Sequence, residues 1–296
     1  MELSYLTDGL GVYGAGAVQA LEGLRALRKT TLRVNTLKAG MEETEEELSR
    51  AGIPFERAGG FTFALKLAHG SEPELRKLSC YQTGRIYLQS LSSMLPPLFL
   101  GAQAGEDILD MAAAPGGKTS ELCQLTGGGA FITACEINPI RAQRLRANLE
   151  LLGCRRVTVM QQDARKLDDF LRFDRILLDA PCSGSGTFDL NDESSCAAFS
   201  RKLVLNSAKL QRELVKKAVR LLKPGGTLLY STCSLLEEEN AQSAREAEKL
   251  GLVPEPIDMT PFADVKLLKG SMQGTVTVCP DENYEGFFMA RFKKKG

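Results

Sequence analysis

The sequence has no tryptophan and a single histidine, His69, among its 296 residues. Its eight cysteines include no C-x-x-C pair. Because a structural zinc site needs closely spaced Cys and His ligands, we expect no metal. Scattered cysteines in a chain of this size are typical of small buried apolar residues rather than of a disulfide framework.

The chain also lacks net charge, since Lys and Arg total 37 and Asp and Glu total 37. This balance argues against non-specific nucleic-acid binding through bulk positive charge, although a local basic face is compatible with it. No apolar run reaches the roughly 18 residues that a membrane-spanning helix needs, so we expect no membrane contact. Residues 1–20 lack the basic start of a signal peptide, which leaves the cytoplasm as the expected location.

The length suits one large domain and one small one, and the 43% share of hydrophobic residues is ordinary for a globular protein. Near the N-terminus, residues 31–36 and 61–67 alternate like strands. Between them, residues 41–51 form an acidic helical pattern that ends at Gly52. These patterns predict a small α+β domain over residues 1–78.

From Gly105 onward, strand and helix patterns alternate, which predicts a parallel sheet with helices on both faces. The alternation stops at residues 276–279 and 286–292, two strand patterns with no helix between them. We expect one of them to join the sheet edge in antiparallel orientation. This α/β domain is predicted over residues 79–296. Ligands of such sheets bind beyond the carboxyl ends of the strands, so the loops that follow the strands are the expected site.

The loop after the first strand of this sheet has the sequence DMAAAPGGKTS, residues 110–120. Its small residues allow close approach of a ligand to the backbone, and it opens a helix whose N-terminus favours negative charge. A Walker A loop requires glycine where Ala112 stands, so that motif does not match, and neither does a dinucleotide-binding G-x-G-x-x-G. A plain structural turn is the alternative interpretation.

The next two strands are each followed by an acid. Glu136 stands where an acid accepts both ribose hydroxyls in nucleotide-binding folds. Asp163 follows the third strand, where an adenine amino group can be met. Each of them is also explained as a helix or turn cap, so neither is specific by itself.

The fourth and fifth strands are each followed by a cysteine in a polar loop, Cys182 in LLDAPCSGSGT and Cys233 in YSTCSLLEEEN. Because the two strands are neighbours in the predicted sheet, both thiols are expected in the same cleft. The alternative is that each is a buried cysteine, but both loops are rich in Ser, Thr and Gly rather than apolar residues.

Together these motifs resemble those of the Sun family of RNA 5-methylcytosine methyltransferases. The resemblance extends to R-x-N at residues 33–35, YQTGRIYLQSLSS at residues 81–93 and GFFMARF at residues 286–292. It implies a class I methyltransferase fold, with a Rossmann-like, seven-stranded, mostly parallel sheet. It also implies a small N-terminal α+β module resembling an RNA-recognition motif, and S-adenosylmethionine as cofactor.

The resemblance also implies roles for individual residues. Cys233, in the T-C motif, is the implied nucleophile, and Cys182 assists breakdown of the covalent adduct. Asp179 lies near both the cofactor and the target base. The implied cofactor-binding residues are Ala112, Ala113, Ala114, Pro115, Gly116, Gly117, Lys118, Glu136, Arg141, Asp163 and Asp179.

The chain departs from the family pattern at three places. Ala112 replaces a usual cysteine, and residues 187–189 replace a region that often carries a basic residue. The sequence shows no match to the C-terminal RNA-binding domain that many family members carry. One expectation is therefore that a partner protein supplies additional RNA-binding surface. The N-terminal module, with Arg33, is the expected RNA contact.

The implied chemistry explains the need for these groups. Addition of a thiolate to carbon-6 of cytosine makes carbon-5 nucleophilic, and Lys118 is a candidate for favouring the thiolate. We expect a protonated Asp179 to donate toward ring nitrogen 3. Either Cys182 or a water then removes the carbon-5 proton. An accessible single-stranded RNA, ribosomal or transfer, is the expected substrate.

Two other functions fit parts of the pattern. One is a class I methyltransferase with a different substrate, but D-A-P-C stands where enzymes that methylate planar amines often carry N-P-P-Y. The other is a non-catalytic RNA-binding protein that keeps the pocket for stability. Such a protein is expected to show a degenerate pocket or a lost cysteine, and the sequence shows neither.

Overall fold

The computed structural model describes residues 3–296 and contains a four-stranded and a nine-stranded sheet. Met1 and Glu2, part of the stretch judged not to be a signal peptide, lie outside the described residues. Within residues 3–296, no helix is both long enough and apolar enough to cross a membrane.

The N-terminal part folds into a small antiparallel sheet flanked by helices. Its sheet order is β2-β3-β1-β4, and all pairs are antiparallel. The elements are α1 (Leu3–Leu10), α2 (Gly16–Gly23), β1 (Thr30–Val34), α3 (Met41–Arg50), β2 (Phe55–Arg57), β3 (Ala64–Leu67), α4 (Glu72–Leu75), α5 (Ser79–Gln82) and β4 (Ile86–Leu88).

Two of these four strands had no counterpart in the sequence prediction. β2 and β4 are three residues long, too short to show a clear alternation of apolar and polar positions. β4 pairs with β1 and lies beyond residue 78, so the small sheet extends past the predicted end of the N-terminal domain. The resemblance of this module to an RNA-recognition motif stays a prediction.

The C-terminal part contains the large sheet. Its elements are α6 (Leu91–Leu100), β5 (Asp107–Asp110), α7 (Gly117–Leu125), β6 (Phe131–Cys135), α8 (Pro139–Leu151), β7 (Val157–Met160), β8 (Phe173–Asp179), α9 (Arg201–Leu221), β9 (Leu222–Thr232), α10 (Ala241–Lys249), β10 (Leu252–Glu255), β11 (Leu267–Leu268), β12 (Val276–Val278) and β13 (Phe287–Lys294). Short 3₁₀ turns lie at Gly11–Tyr13, Ala164–Lys166, Ser185–Thr187, Glu193–Cys196 and Thr260–Phe262.

The large sheet has the order β11-β12-β13-β9-β8-β5-β6-β7, with β10 paired to β13. β9, β8, β5, β6 and β7 are parallel, which confirms the predicted mostly parallel α/β fold. The strands from β12 to β7 are the seven predicted ones, and β10 and β11 are short additions. β13 is antiparallel to both β9 and β12, so it lies inside the sheet rather than at its edge.

Pro96 and Pro97 lie inside α6. A proline in a helix leaves the carbonyl four residues earlier without its backbone donor. For Pro97 that carbonyl belongs to Ser93, and Gln89 Nε2 donates to it at 3.3 Å. A side chain thus replaces a missing backbone hydrogen bond.

Arg33 connects the two sheets from a fully buried position in β1. Its guanidinium donates to Gln89 Oε1 at 3.0 Å, to Ser120 Oγ at 2.6 Å, and to Gln124. Ser120 and Gln124 lie on α7 of the large domain. Arg33 was expected to contact RNA, but a guanidinium with no exposed surface cannot do so, and it holds the two sheets together instead.

Glu121 completes this buried network. Gln89 Nε2 donates to Glu121 Oε2 at 2.8 Å, while Oε1 is buried without a hydrogen-bond partner. Burial raises the pKa of Glu121 to about 8, against the opposing effect of the Arg33 charge. The side chain is therefore an acid that carries its proton near neutral pH.

We expect Glu121→Gln to change how stability depends on pH. The unfolded chain releases the Glu121 proton near pH ~4.3, whereas the folded protein keeps it up to about pH 8. Between these values the folded state binds more protons, so the stability from this group falls as the pH rises. The variant should match the wild type at about pH 5 and exceed it at about pH 9.

Denaturant unfolding followed by circular dichroism measures this effect, since the chain has no tryptophan for fluorescence. Glu150→Gln, on the exposed surface of α8, is the control and should leave the pH dependence unchanged. Equal loss of stability by Glu121→Gln at both pH values would contradict a protonated Glu121.

Candidate active site

The loop between β5 and α7 forms the centre of the site. It ends at Gly116, whose φ of 110° lies in the region that favours glycine. A Cβ on Gly117 would lie 3.1 Å from the ring of Tyr87 in β4. The two glycines therefore allow α7 to begin close to the N-terminal sheet.

Two side chains of α8 hold the backbone of this loop. Arg141 Nη2 donates to the carbonyl of Ala114 at 2.9 Å, and Asn148 Nδ2 donates to the carbonyl of Pro115 at 2.8 Å. Arg141 was predicted as a cofactor-binding residue. In the structure its contacts fix the loop and Glu136, whose Oε2 lies 3.5 Å from Arg141 Nε.

Lys118, in the first turn of α7, is a partly buried cation with 13% of its side chain exposed. Its Nζ lies 2.7 Å from Asp179 Oδ2 and donates to Ser93 Oγ at 2.6 Å. Burial acts to lower the pKa of Lys118, but the negative charges of Asp179, Cys233 and Asp110 outweigh it and raise that pKa. Lys118 thus stays positively charged.

Asp179, the last residue of β8, has both carboxylate oxygens engaged. Oδ2 pairs with Lys118, and Oδ1 accepts a hydrogen bond from Ser231 Oγ at 2.8 Å. An ion pair favours the ionised carboxylate. Both oxygens therefore accept hydrogen bonds in the structure, and donation from Asp179 toward ring nitrogen 3 stays a prediction.

A cavity of about 280 Å³ opens beyond the carboxyl ends of β5, β6 and β8. Glu136 is buried in its wall, and its Oε1 accepts from the backbone of Asn138 at 2.8 Å. Asp163 accepts from the backbone of Arg165 at 2.9 Å, and ion pairing with the same residue lowers the pKa of Asp163. The predicted residues that line this cavity are Ala112, Ala114, Glu136, Arg141, Asp163, Asp179, Cys182 and Cys233.

The thiols of Cys182 and Cys233 meet at the end of this cavity, with their sulfurs 3.3 Å apart. The hydrogen bond with Cys233, together with burial, raises the pKa of the Cys182 thiol well above its ordinary value. The raised pKa favours the protonated form of Cys182, and either sulfur can donate in this hydrogen bond.

Cys233 also borders a second cavity of about 320 Å³, which opens toward the N-terminal sheet. The two cavities thus meet at one thiol. Ala113, Pro115, Gly117 and Lys118, predicted as cofactor residues, line the second cavity rather than the first. Gly116 lines neither cavity and contributes its backbone turn.

Glu239 had no predicted role, although it lies within the YSTCSLLEEEN motif. Its carboxylate accepts from the backbone and the hydroxyl of Ser183, at 2.7 and 2.6 Å, and from Ser234 Oγ at 2.6 Å. Ser183 follows Cys182 and Ser234 follows Cys233. Glu239 therefore clamps the two cysteine loops together. In a run of three acids, the sequence does not indicate which one turns inward.

Within the described part of the chain, no three His, Cys, Asp or Glu side chains are arranged to hold a metal ion.

The family model of the 16S rRNA methyltransferase RsmB/F matches residues 97–293, which include both cysteine loops. The chain belongs to the RsmB/F methyltransferase family. Among solved structures, a methyltransferase homologue protein from Pyrococcus horikoshii has 33% sequence identity and a TM-score of 0.80, covering 97% of this chain and 93% of that chain. NSun6 from the same organism has 23% identity, with a TM-score of 0.85 and 98% coverage of both chains, which is a likeness in fold.

Curated relatives of this RsmB/F family member are longer than the chain. It is 34% identical over 291 residues to the 28S rRNA (cytosine(4447)-C(5))-methyltransferase of Homo sapiens, covering 94% of this chain and 36% of that protein. It is 37% identical over 287 residues to the ribosomal RNA small subunit methyltransferase F of Serratia proteamaculans, covering 91% of this chain and 58% of that protein.

We expect Glu239→Gln to loosen the cysteine loops. The amide keeps the size of the side chain but has one acceptor oxygen in place of two, so at least one serine donor loses its partner, at a cost of about 1–3 kcal/mol. Alkylation of Cys182 and Cys233 by iodoacetamide, followed by peptide mass mapping, should become faster. Glu248→Gln, at an exposed position of α10, is the matched control. Unchanged alkylation in Glu239→Gln would refute the clamp.

Proposed function

We propose that the protein transfers a methyl group from S-adenosylmethionine to carbon-5 of a cytosine in ribosomal RNA, through a covalent bond between Cys233 and the base. The observation that carries this proposal is the thiol pair, 3.3 Å apart, in a cleft with a partly buried lysine. Membership of the RsmB/F family supports it. Relatives named as rRNA methyltransferases favour ribosomal over transfer RNA.

The residues around the 280 Å³ cavity fit S-adenosylmethionine. Glu136 would accept hydrogen bonds from the ribose hydroxyls, and Asp163 one from the adenine amino group. The backbone of residues 112–118 would hold the methionine part, whose carboxylate is favoured by the N-terminus of α7. When bound, S-adenosylmethionine supplies an electrophilic methyl group.

Cys233 is the nucleophile in this proposal. The thiolate is the reactive form of cysteine, and its addition to carbon-6 converts the cytosine ring into an enamine that is nucleophilic at carbon-5. The positive charge of Lys118, in the same cavity, favours a thiolate at Cys233. The raised pKa of Cys182 favours its protonated form, which makes Cys182 the less suitable nucleophile of the two.

Lys118 and Asp179 act as a unit. Asp179 fixes the ammonium of Lys118 at 2.7 Å, and Ser231 fixes Asp179 in turn. We propose that Lys118, rather than a protonated Asp179, stabilises the negative charge that thiolate addition places on the ring.

Cys182 is the proposed base for the carbon-5 proton, with a water as the alternative. Its pKa is raised mainly by the hydrogen bond with Cys233. Once the sulfur of Cys233 is bonded to carbon-6, that hydrogen bond and the thiolate charge are gone. The Cys182 proton can then pass to water. The Cys182 thiolate so formed takes the carbon-5 proton while the bond between Cys233 and carbon-6 breaks, which releases Cys233 as a thiolate and the methylated cytosine as product.

We expect covalent trapping on RNA that carries 5-fluorocytidine. The fluorine at carbon-5 cannot leave as a cation, so the adduct persists after methyl transfer. Incubation with S-adenosylmethionine and 5-fluorocytidine-substituted cellular RNA, followed by intact-mass measurement, should show an adduct for the wild type and for Cys182→Ala. Cys233→Ala should form none, and sequencing of the trapped RNA identifies the substrate.

Other outcomes have definite meanings. Adduct loss only in Cys182→Ala would reverse the roles of the two thiols. If the wild type binds S-adenosylmethionine and forms no adduct, the enzyme requires a partner or is a non-catalytic RNA-binding protein. An adduct mainly on transfer RNA would correct the substrate.

Glu136→Ala tests the cofactor site directly. Loss of a buried carboxylate that accepts ribose hydroxyl hydrogen bonds should raise the dissociation constant for S-adenosylmethionine roughly tenfold or more. Isothermal titration calorimetry measures it, with Glu150→Ala on exposed α8 as the control. An unchanged dissociation constant would remove Glu136 from the cofactor site.

A further inference from the structure

A further carboxylate, Glu285, borders the 320 Å³ cavity together with Cys233 and Lys118. It lies two residues before β13 and is half-buried. Ser90 Oγ donates to Glu285 Oε2 at 2.7 Å, and Ser92 Oγ donates to the Glu285 carbonyl at 2.8 Å. Both the side chain and the backbone of Glu285 are therefore fixed by the start of α6.

The same turn of α6 also positions the catalytic lysine. Ser93 Oγ accepts from Lys118 Nζ at 2.6 Å, and Lys118 lies 5.5 Å from the centre of the Phe287 ring. Phe287 is only two residues after Glu285. Glu285 and Lys118 are thus held on adjoining walls of one cavity.

Backbone contacts bring Glu285 close to the nucleophile. Gly286 N donates to the carbonyl of Gly186 at 2.8 Å, and Gly186 N donates to the carbonyl of Cys233 at 2.9 Å. A Cβ on Gly286 would lie 2.9 Å from Gly186 Cα, so the two backbones are in direct contact. The backbone of the loop at Gly186 therefore lies between the segment of Glu285 and that of Cys233.

Three carboxylates line this cavity, and they differ in the acceptor oxygens that remain free for a substrate. Asp110 is fully buried, and its Oδ2 accepts a hydrogen bond from Thr119 Oγ1 at 2.7 Å. Asp179 uses one oxygen for Lys118 and the other for Ser231. Glu285 uses Oε2 for Ser90, while its Oε1 makes no hydrogen bond with any residue from 3 to 296 and is not shut off from solvent. Glu285, which also borders a neighbouring cavity that contains Arg28, therefore has a free acceptor oxygen.

The charge of Glu285 interacts with a cation outside the cavity. Burial lowers the pKa of Arg28, and the negative charge of Glu285 opposes that shift. The guanidinium of Arg28 donates hydrogen bonds to the carbonyl oxygens of Thr187 and Phe188, at 2.9 and 3.1 Å. Arg28 thus lies close enough to Glu285 for their charges to interact, while its hydrogen-bond donors are used by the carbonyls of the neighbouring loop.

We propose that Glu285 accepts a hydrogen bond from the exocyclic amino group of the target cytosine and thereby selects cytosine over uracil. Cytosine carries an amino donor at carbon-4, where uracil carries a carbonyl oxygen. A carboxylate attracts the amino group of cytosine and repels the carbonyl oxygen of uracil. A site that accepts a hydrogen bond from the amino group therefore rejects a base without that donor. The assignment rests on the proposed function, because it requires a pyrimidine in the cavity beside Cys233.

The test compares two trapping substrates. Synthetic RNA with the sequence identified by trapping carries either 5-fluorocytidine or 5-fluorouridine at the target position. Wild type should form adducts much faster with the cytidine substrate. Glu285→Gln keeps the size of the side chain and its bond with Ser90 but loses the charge, so the ratio of the two rates should fall roughly 10- to 100-fold.

Glu282→Gln, an exposed acid in the same loop, is the matched control and should keep the wild-type ratio. A purely structural role of Glu285 would slow both substrates equally, so an unchanged ratio in Glu285→Gln overturns the assignment while the proposed function stands. If the wild type forms no adduct on any 5-fluorocytidine RNA, the proposed function fails, and the assignment of Glu285 falls with it.

Discussion

The parallel pairing of β8 with β9 is the constraint on which the rest of the site depends. Its register places Asp179 opposite Ser231, and Ala180 N donates to the carbonyl of Ser231 at 2.8 Å. Both strands end at this point, so their loops leave the sheet side by side. Cys182 and Cys233 follow within three residues, which is why two thiols that are 51 positions apart in the chain lie 3.3 Å apart.

The charged groups of the cleft make the surroundings of the Cys182 and Cys233 thiols different. The lysine at the start of α7 remains positive because Asp179, Cys233 and Asp110 outweigh the effect of burial. Such a cation favours negative charge at a neighbouring sulfur, and in a cavity shielded from water the effect is stronger than at the surface. The raised pKa of Cys182 favours the protonated form of that thiol. The two thiols therefore differ in their surroundings, as the proposed division of roles between them requires.

Much of the fold and of the site was predictable from the residues. The alternation of strands and helices after Gly105 predicted the parallel sheet, because its buried strands are short apolar runs followed by amphipathic helices. The loops after those strands contained the residues that now line the two cavities. Sequence patterns missed β2 and β4, and they did not indicate which of the last two predicted strands, β12 or β13, lies nearer the edge of the sheet. Short strands carry little periodic signal, and strand order depends on contacts distant in sequence.

The sequence by itself determined the α/β architecture, the loop rich in small residues at 112–117 and the presence of two cysteines in polar loops. Only the tertiary structure decided what the charged side chains do. Arg33 is buried between two sheets, Glu239 joins the cysteine loops, and Asp179 is held by Lys118. The physical reason is that local patterns report which backbone a segment prefers. The partner of a buried charge comes from another part of the chain, and only packing brings the two together.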